Sequence, residues 1–190
     1  MITPGLFLNL DRAVEVALES AQQGDIQTAQ DICFEQMDRQ GMKGGDYAVM
    51  GSILRLQFPE MAIRLYSRCL TMVSEIPQRQ FIFGELGMCY KAATEAYRSR
   101  GDDANALHNL NLAKQHFEQA SSPLRYVGQL EPLLHYIDTL LDFGEFIKAG
   151  MLLEQYVDRP SISFKIREHN LSELAMYVRG KFVHFTGRTP

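Results

Sequence analysis

Apolar side chains recur along this chain at intervals of three and four, the spacing that gathers them on one face of an α-helix. Ala62, Tyr66 and Cys69 keep that interval, and so do Ala113, Phe117 and Ala120. The runs IQTAQDICFEQM (26–37), YAVMGSIL (47–54) and FGELGMCY (83–90) read as further helices. Between them stand turn signals. Gly24-Asp25 and Gly101-Asp102 combine a glycine that ends one helix with an aspartate that caps the next. Gln57-Phe58-Pro59-Glu60 makes the same turn with proline at a helix start.

The stripes also repeat as a unit. Ala17 is followed 7 residues later by Gly24 and 12 later by Ala29; Gly51 lies 34 residues after Ala17, and Gly87 lies 36 after Gly51. In the fourth copy Ile137 takes the small residue's place. Gly144, Ala149, Leu153 and Tyr156 then follow at offsets of 7, 12, 16 and 19, and Pro160 is read as closing the unit. A small residue on each helix lets two backbones approach while larger neighbours fill the gaps. These offsets predict one all-α domain over 1–190, with hairpins at 7–40, 45–75, 80–121 and 126–158 and a capping helix at 163–185. Leu171, Leu174, Ala175 and Val178 sit where a fifth first helix would put them. The third hairpin is stretched by 14 residues, about two extra turns per helix, so its polar tip from Arg98 to Asn105 is expected to project. Tyr97 and Leu107 near that tip are open to two readings, an internal staple or a contact for a partner.

Taken together, LGMCY (86–90), Gly24 through Ala29, Ala113 with Phe117 and Ala120, and Pro123 and Pro160 resemble the tetratricopeptide repeat family over nearly the whole chain. Departures are the missing aromatic at Ala13 and Leu133, the absence of tryptophan and the long third unit. The alternative is an ordinary helical bundle, which has no reason to reuse the offsets. The resemblance implies a superhelical array whose first helices line a concave surface. Its inward positions would carry Val14, Leu18, Met88, Leu134, Leu141 and Met176 as an apolar strip, with Arg55, Lys91 and Arg179 between. Members that grip chaperone carboxylates use asparagines where this chain has Leu18 and Ser52, so that activity is not expected. In size and groove character the chain resembles the small repeat chaperones of bacterial secretion systems.

Composition narrows the function classes. A net charge of −4 argues against nucleic acid as the main partner. Three dispersed cysteines, Cys33, Cys69 and Cys89, form neither a disulfide framework nor a zinc motif. Met1 to Asp11 lacks a signal-peptide pattern and no window is apolar enough for a membrane span, so a cytoplasmic location is expected. No nucleophile, phosphate-loop or dinucleotide motif is present; GMKGGD (41–46) reads as a link and Arg100-Gly101-Asp102 as a turn. The five histidines are scattered, and neither a metal nor another cofactor is expected. The methionines, Met50, Met61, Met88, Met151 and Met176 among them, fit core filling or a pliable groove.

Charge is uneven along the chain. Residues 1–40 carry 7 acidic against 2 basic side chains, and 159–190 carry 6 basic against 2 acidic. A solvated surface and head-to-tail self-association are both open. The expected function is non-catalytic binding of another protein, an adaptor or chaperone for a peptide or amphipathic segment. A structural subunit held by its outer faces is the alternative, and a small-ligand sensor or enzyme on a helical scaffold a more distant one.

Overall fold

The computed structural model describes residues 9–121, 130–158, 160–168 and 170–188, and every regular element among them is helical. Helices α1 (Arg12–Gln22) and α2 (Ile26–Gln36) make the first hairpin, α3 (Gly44–Leu54) and α4 (Pro59–Met72) the second. Helices α5 (Ile76–Arg98) and α6 (Asp103–Ser121) follow, joined by a short turn at Gly101. Then come α7 (Leu130–Asp142) and α8 (Phe146–Leu152), which continues through a π-helical turn, Leu153–Val157. Finally there are α9 (Pro160–Glu168) and α10 (Ser172–Thr186). The expected start of the first hairpin at 7, and Pro123, Arg159 and His169, lie outside the described residues.

The end of the chain differs from the expected single capping helix at 163–185. Pro160 opens α9 instead of closing the fourth unit, and the chain breaks between α9 and α10 at Asn170, with φ 57°. Proline suits a first helical turn, and asparagine is the residue after glycine best able to hold a left-handed helix end.

One turn closes four helices. At Gly24, Gly101, Gly144 and Asn170 the backbone has positive φ. In each case the next residue's N–H donates to the carbonyl five residues back: Asp25 to Ser20, Asp102 to Tyr97, Glu145 to Leu140 and Leu171 to Ile166, at 2.9–3.0 Å. The positive-φ residue itself donates three back, as Gly24 does to Ala21 and Gly144 to Leu141. This pair of bonds satisfies carbonyls that the helix end leaves open. Asp25 and Asp102 then cap the following helices, accepting from the Thr28 and Asn105 N–H groups. The second hairpin turns without glycine, with Pro59 at the start of α4.

Most of the repeated helix positions are buried, whereas Gly24 and Gly144 in the turns are exposed and Leu171 and Leu174 are half-buried. Ala17, Ala29, Ala62, Tyr66, Cys69, Ala113, Phe117, Ala120, Ile137, Ala149, Leu153, Ala175 and Val178 are all fully buried, and Gly51 and Gly87 are buried too. A Cβ on Gly51 would lie 2.9 Å from the Tyr66 ring, so the bare backbone is what seats that ring. Tyr156 departs from the pattern. The π turn takes up one extra residue, so the buried position falls one later: Val157 is buried and Tyr156 is only half-buried.

These helices pack into two compact units, residues 1–113 and 114–190, with α6 running across the boundary. In the first, α1 packs on α2 and α3, α2 on α3, α3 on α4 and α4 on α5. Its core joins Val14, Cys33, Met50, Leu54, Leu65, Tyr66 and Ile82. In the second, α7 packs on α8 and α10, and α10 on α8 and α9.

Candidate functional site

Among the buried polar side chains of the first unit, Gln30, Asp46, Gln80, Glu85 and Thr94, the two carboxylates join elements. The Asp46 carboxylate, buried on α3, accepts the N–H groups of Lys43 and Asp11 at 2.7 Å each, which ties the start of α3 to the start of α1. The second carboxylate is Glu85 on α5. Arg55, just past α3, donates from one guanidinium nitrogen to both Glu85 oxygens at 3.2 and 3.0 Å, and the Tyr66 hydroxyl on α4 donates to Glu85 at 2.7 Å. Three helices therefore meet on one carboxylate whose side chain is 5% exposed. Burial, and then the Glu85 charge, push the Tyr66 phenol well above its ordinary range, so it stays a proton donor.

This clamp decides what the inward positions of the first unit can do. Arg55 also reaches the Met88 sulfur at 3.3 Å, so the structure brings these two sequence-predicted residues together. Arg55 is committed to Glu85 and does not stand ready as an anion site. Leu18, Met88 and Lys91 are half-buried. Val14 is not: it is fully buried in the core and lines no surface. It shares a stripe with Ala17 three residues on, and that stripe faces the neighbouring helices.

Leu134 and Leu141 need the same correction. Both are buried on α7, three and four residues from the buried Ile137, so they are core instead of groove lining. Met176 and Met151 differ in the opposite sense from core filling, since both are exposed. Arg179 donates to Asp158 at 2.7 Å and to the Val157 carbonyl at 3.2 Å. Lys181 bonds Asp138 and Asp142 at 2.6 Å each. Burial would lower the Lys181 ammonium, but these two carboxylates outweigh it and hold it above its usual value. Two of the basic side chains counted at the C-terminal end are thus matched within the second unit.

At the third hairpin, α5 has 23 residues where α4 has 14. The tip from Arg98 to Asn105 is exposed except at Asp102, which is partly covered. Buried Ala106, Leu110 and Ala113 form the inward stripe of α6, and Leu107 lies off it, 55% exposed. That leaves the staple without its second member; Tyr97 is half-buried.

A cleft that the sequence pattern did not predict lies in the second unit. Phe146, Ile147, Gly150 and Met151 on α8, with Phe182 and Thr186 on α10, line a hollow of about 520 Å³, and Glu154 and Arg188 complete its rim. The two helices run antiparallel. Phe146 meets Phe185 with ring centroids 5.8 Å apart, a Cβ on Gly150 would lie 3.0 Å from the Phe182 ring, and Asp158 pairs with Arg179. The signal was present in FIKAGMLL (146–153), which has more apolar residues than one buried stripe can use. Ile147 is 84% exposed and Met151 61%.

The remaining chemistry is structural. Burial pushes the thiols of Cys33, Cys69 and Cys89 up to about 12, which keeps them protonated and unreactive near neutrality. Among the described residues no group of His, Cys, Asp or Glu side chains is placed to hold a metal ion, and no helix is long and apolar enough to cross a membrane. Compared with protein-family models, curated proteins and solved structures, the chain matches none of them.

Proposed function

We propose that the chain is a non-catalytic helical-repeat module, similar to tetratricopeptide repeats, that binds a segment of another protein. The observation that carries this reading is the reuse of one hairpin: the same offsets select the buried small residues, and the same two-bond turn closes the helices. Such arrays offer a continuous face built from one helix of each pair. Leu18 and Met88, both half-buried in the first unit, are the apolar residues proposed for that face, with Lys91 three residues after Met88, a set that suits an amphipathic or extended peptide. The groove is shorter than the sequence implied, because Val14, Leu134 and Leu141 are withdrawn into the core.

The test is selection of peptides from a displayed random library on the purified chain, followed by affinity measurement against Leu18→Glu and Met88→Glu. A loss of at least tenfold, with helicity unchanged by circular dichroism, is the expected result. Selected peptides that bind both variants as well as the parent would overturn the groove. The exposed cleft between α8 and α10 favours a second reading, a subunit that assembles through outer faces.

A further inference from the structure

The α8–α10 face has an order along it. Because the helices are antiparallel, Arg188 lies at the Phe146 end of the cleft and Glu154 at the other, about two turns along α8. Between them Ile147 and Met151 project one turn apart on the same side, with Phe185, 49% exposed, beside Phe146. Neither the Glu154 carboxylate nor the Arg188 guanidinium has a partner among the described residues. An apolar strip with a cation at one end and an anion at the other is complementary to itself. Turned about a two-fold axis through the middle of the strip, a second copy sets its acidic end against the first copy's basic end and its apolar residues against Ile147 and Met151. Two-fold interfaces require this reciprocity, in which each residue's partner is also matched by its own symmetry mate.

We propose that this face is a homodimer interface, in which two α8–α10 surfaces pair about a two-fold axis and Glu154 of each copy meets Arg188 of the partner subunit. Exposed apolar side chains clustered within one cleft are the usual mark of such a contact. This pairing differs from head-to-tail association of the acidic N-terminal and basic C-terminal segments, since it uses one face twice and stops at two copies. It also stands apart from the groove reading, because Leu18 and Met88 belong to the first unit.

The experiment is light scattering and sedimentation of the full chain over about 1–100 µM, the range of a moderate dimer. The expected mass is twice 21.6 kDa. Ile147→Glu should reduce it to a single chain with unchanged circular dichroism, as Ile147 is not part of the core. Glu154→Arg and Arg188→Glu should each weaken the dimer at least tenfold, by setting like charges against each other. The two changes combined should restore it, which an unspecific apolar contact cannot do. Leu18→Glu should leave the mass as in the parent. A single-chain mass throughout the range overturns the proposal and leaves the face to a partner of another sequence. A mass that climbs past two copies overturns it in favour of head-to-tail growth. A combined variant no more dimeric than the single ones removes the two-fold pairing.

Discussion

Glu85 in the first unit and Glu118 in the second each take a cation from another helix, yet their surroundings are opposite. Glu85 is enclosed by α3, α4 and α5 and accepts from both Arg55 and Tyr66. Glu118 accepts from Lys148 at 2.9 Å, with both side chains about half exposed. Tyr136 first, and Glu118 after it, hold the Lys148 ammonium above its usual value; Tyr136 is buried, while the Glu118 and Lys148 side chains stay open to water. The same hairpin can therefore be finished in two ways. The first unit spends its polar groups on fixing helix register inside. The second also encloses one pair, Lys181 on Asp138, but leaves Glu118 with Lys148 at its edge and an apolar face open beside it.

The largest expected effect follows from that contrast. Glu85→Ala strips Arg55 of its counter-charge and Tyr66 of its acceptor in a closed site, and should cost about 3 kcal/mol, the lower end for breaking a buried pair because Arg55 keeps some solvent access. Glu118→Ala should cost less than about 1 kcal/mol, as exposed pairs do. Urea unfolding of both variants against the parent measures the two values. Equal losses would mean that the enclosed clamp and the edge pair do the same work, and the comparison would fail.

How far the sequence could be read follows the same division. Small residues at a fixed offset are visible in a sequence because close packing leaves only glycine and alanine as choices, and those positions are buried. The turns at Gly24 and Gly101 were legible because positive φ needs glycine. Asn170 achieves the same turn without that signature, and the break between α9 and α10 was missed. Groove residues were harder. Val14, Leu134 and Leu141 lie three or four positions from a buried small or branched residue, and an apolar side chain at that spacing joins the core stripe. Polar residues in equivalent places, Ser52, Arg55 and Lys91, stay half-buried. Glu85 gave no warning at all, because its partners come from two other helices and periodicity says nothing about pairing between them.

A second pair of substitutions sharpens the contrast through backbone contact. Gly51 and Gly150 both face an aromatic ring: a methyl group on Gly51 would sit 2.9 Å from Tyr66, and one on Gly150 would sit 3.0 Å from Phe182. Tyr66 is fully buried and pinned by its bond to Glu85, so it cannot retreat. Phe182 borders the cleft and meets Gly150 only with the far edge of its ring, which a small rotation would withdraw. Alanine gains about 1 kcal/mol of helix propensity over glycine at either site. Gly51→Ala should nonetheless lose about 1–2 kcal/mol through overpacking. Gly150→Ala should come out neutral or slightly stabilising. Thermal melts of the two variants give the answer, and a stabilised Gly51→Ala would show that the first unit is not tightly closed there.

The smallest effect is one of pH, and it belongs to the second unit. His116 on α6 is held below its usual 6.5, first by burial, with a hydrogen bond to Gln119 opposing. A lowered histidine value means that the unfolded chain accepts a proton more readily than the folded one. Stability from this site is complete above about pH 6.5 and declines as the pH falls, levelling only below the folded value. Carboxylates held low act at more acid pH: Glu118, lowered chiefly by its bond from Lys148, keeps its contribution above about 4.5 and loses it as the pH drops through its folded value. Between about pH 7.5 and 5.5 the histidine contribution is therefore separable from that of the edge carboxylates. Melting the parent and His116→Gln across that window should give a downward slope in the parent and a flatter one in the variant. A variant that keeps the parent's slope would assign the acid sensitivity elsewhere and detach it from the burial of α6.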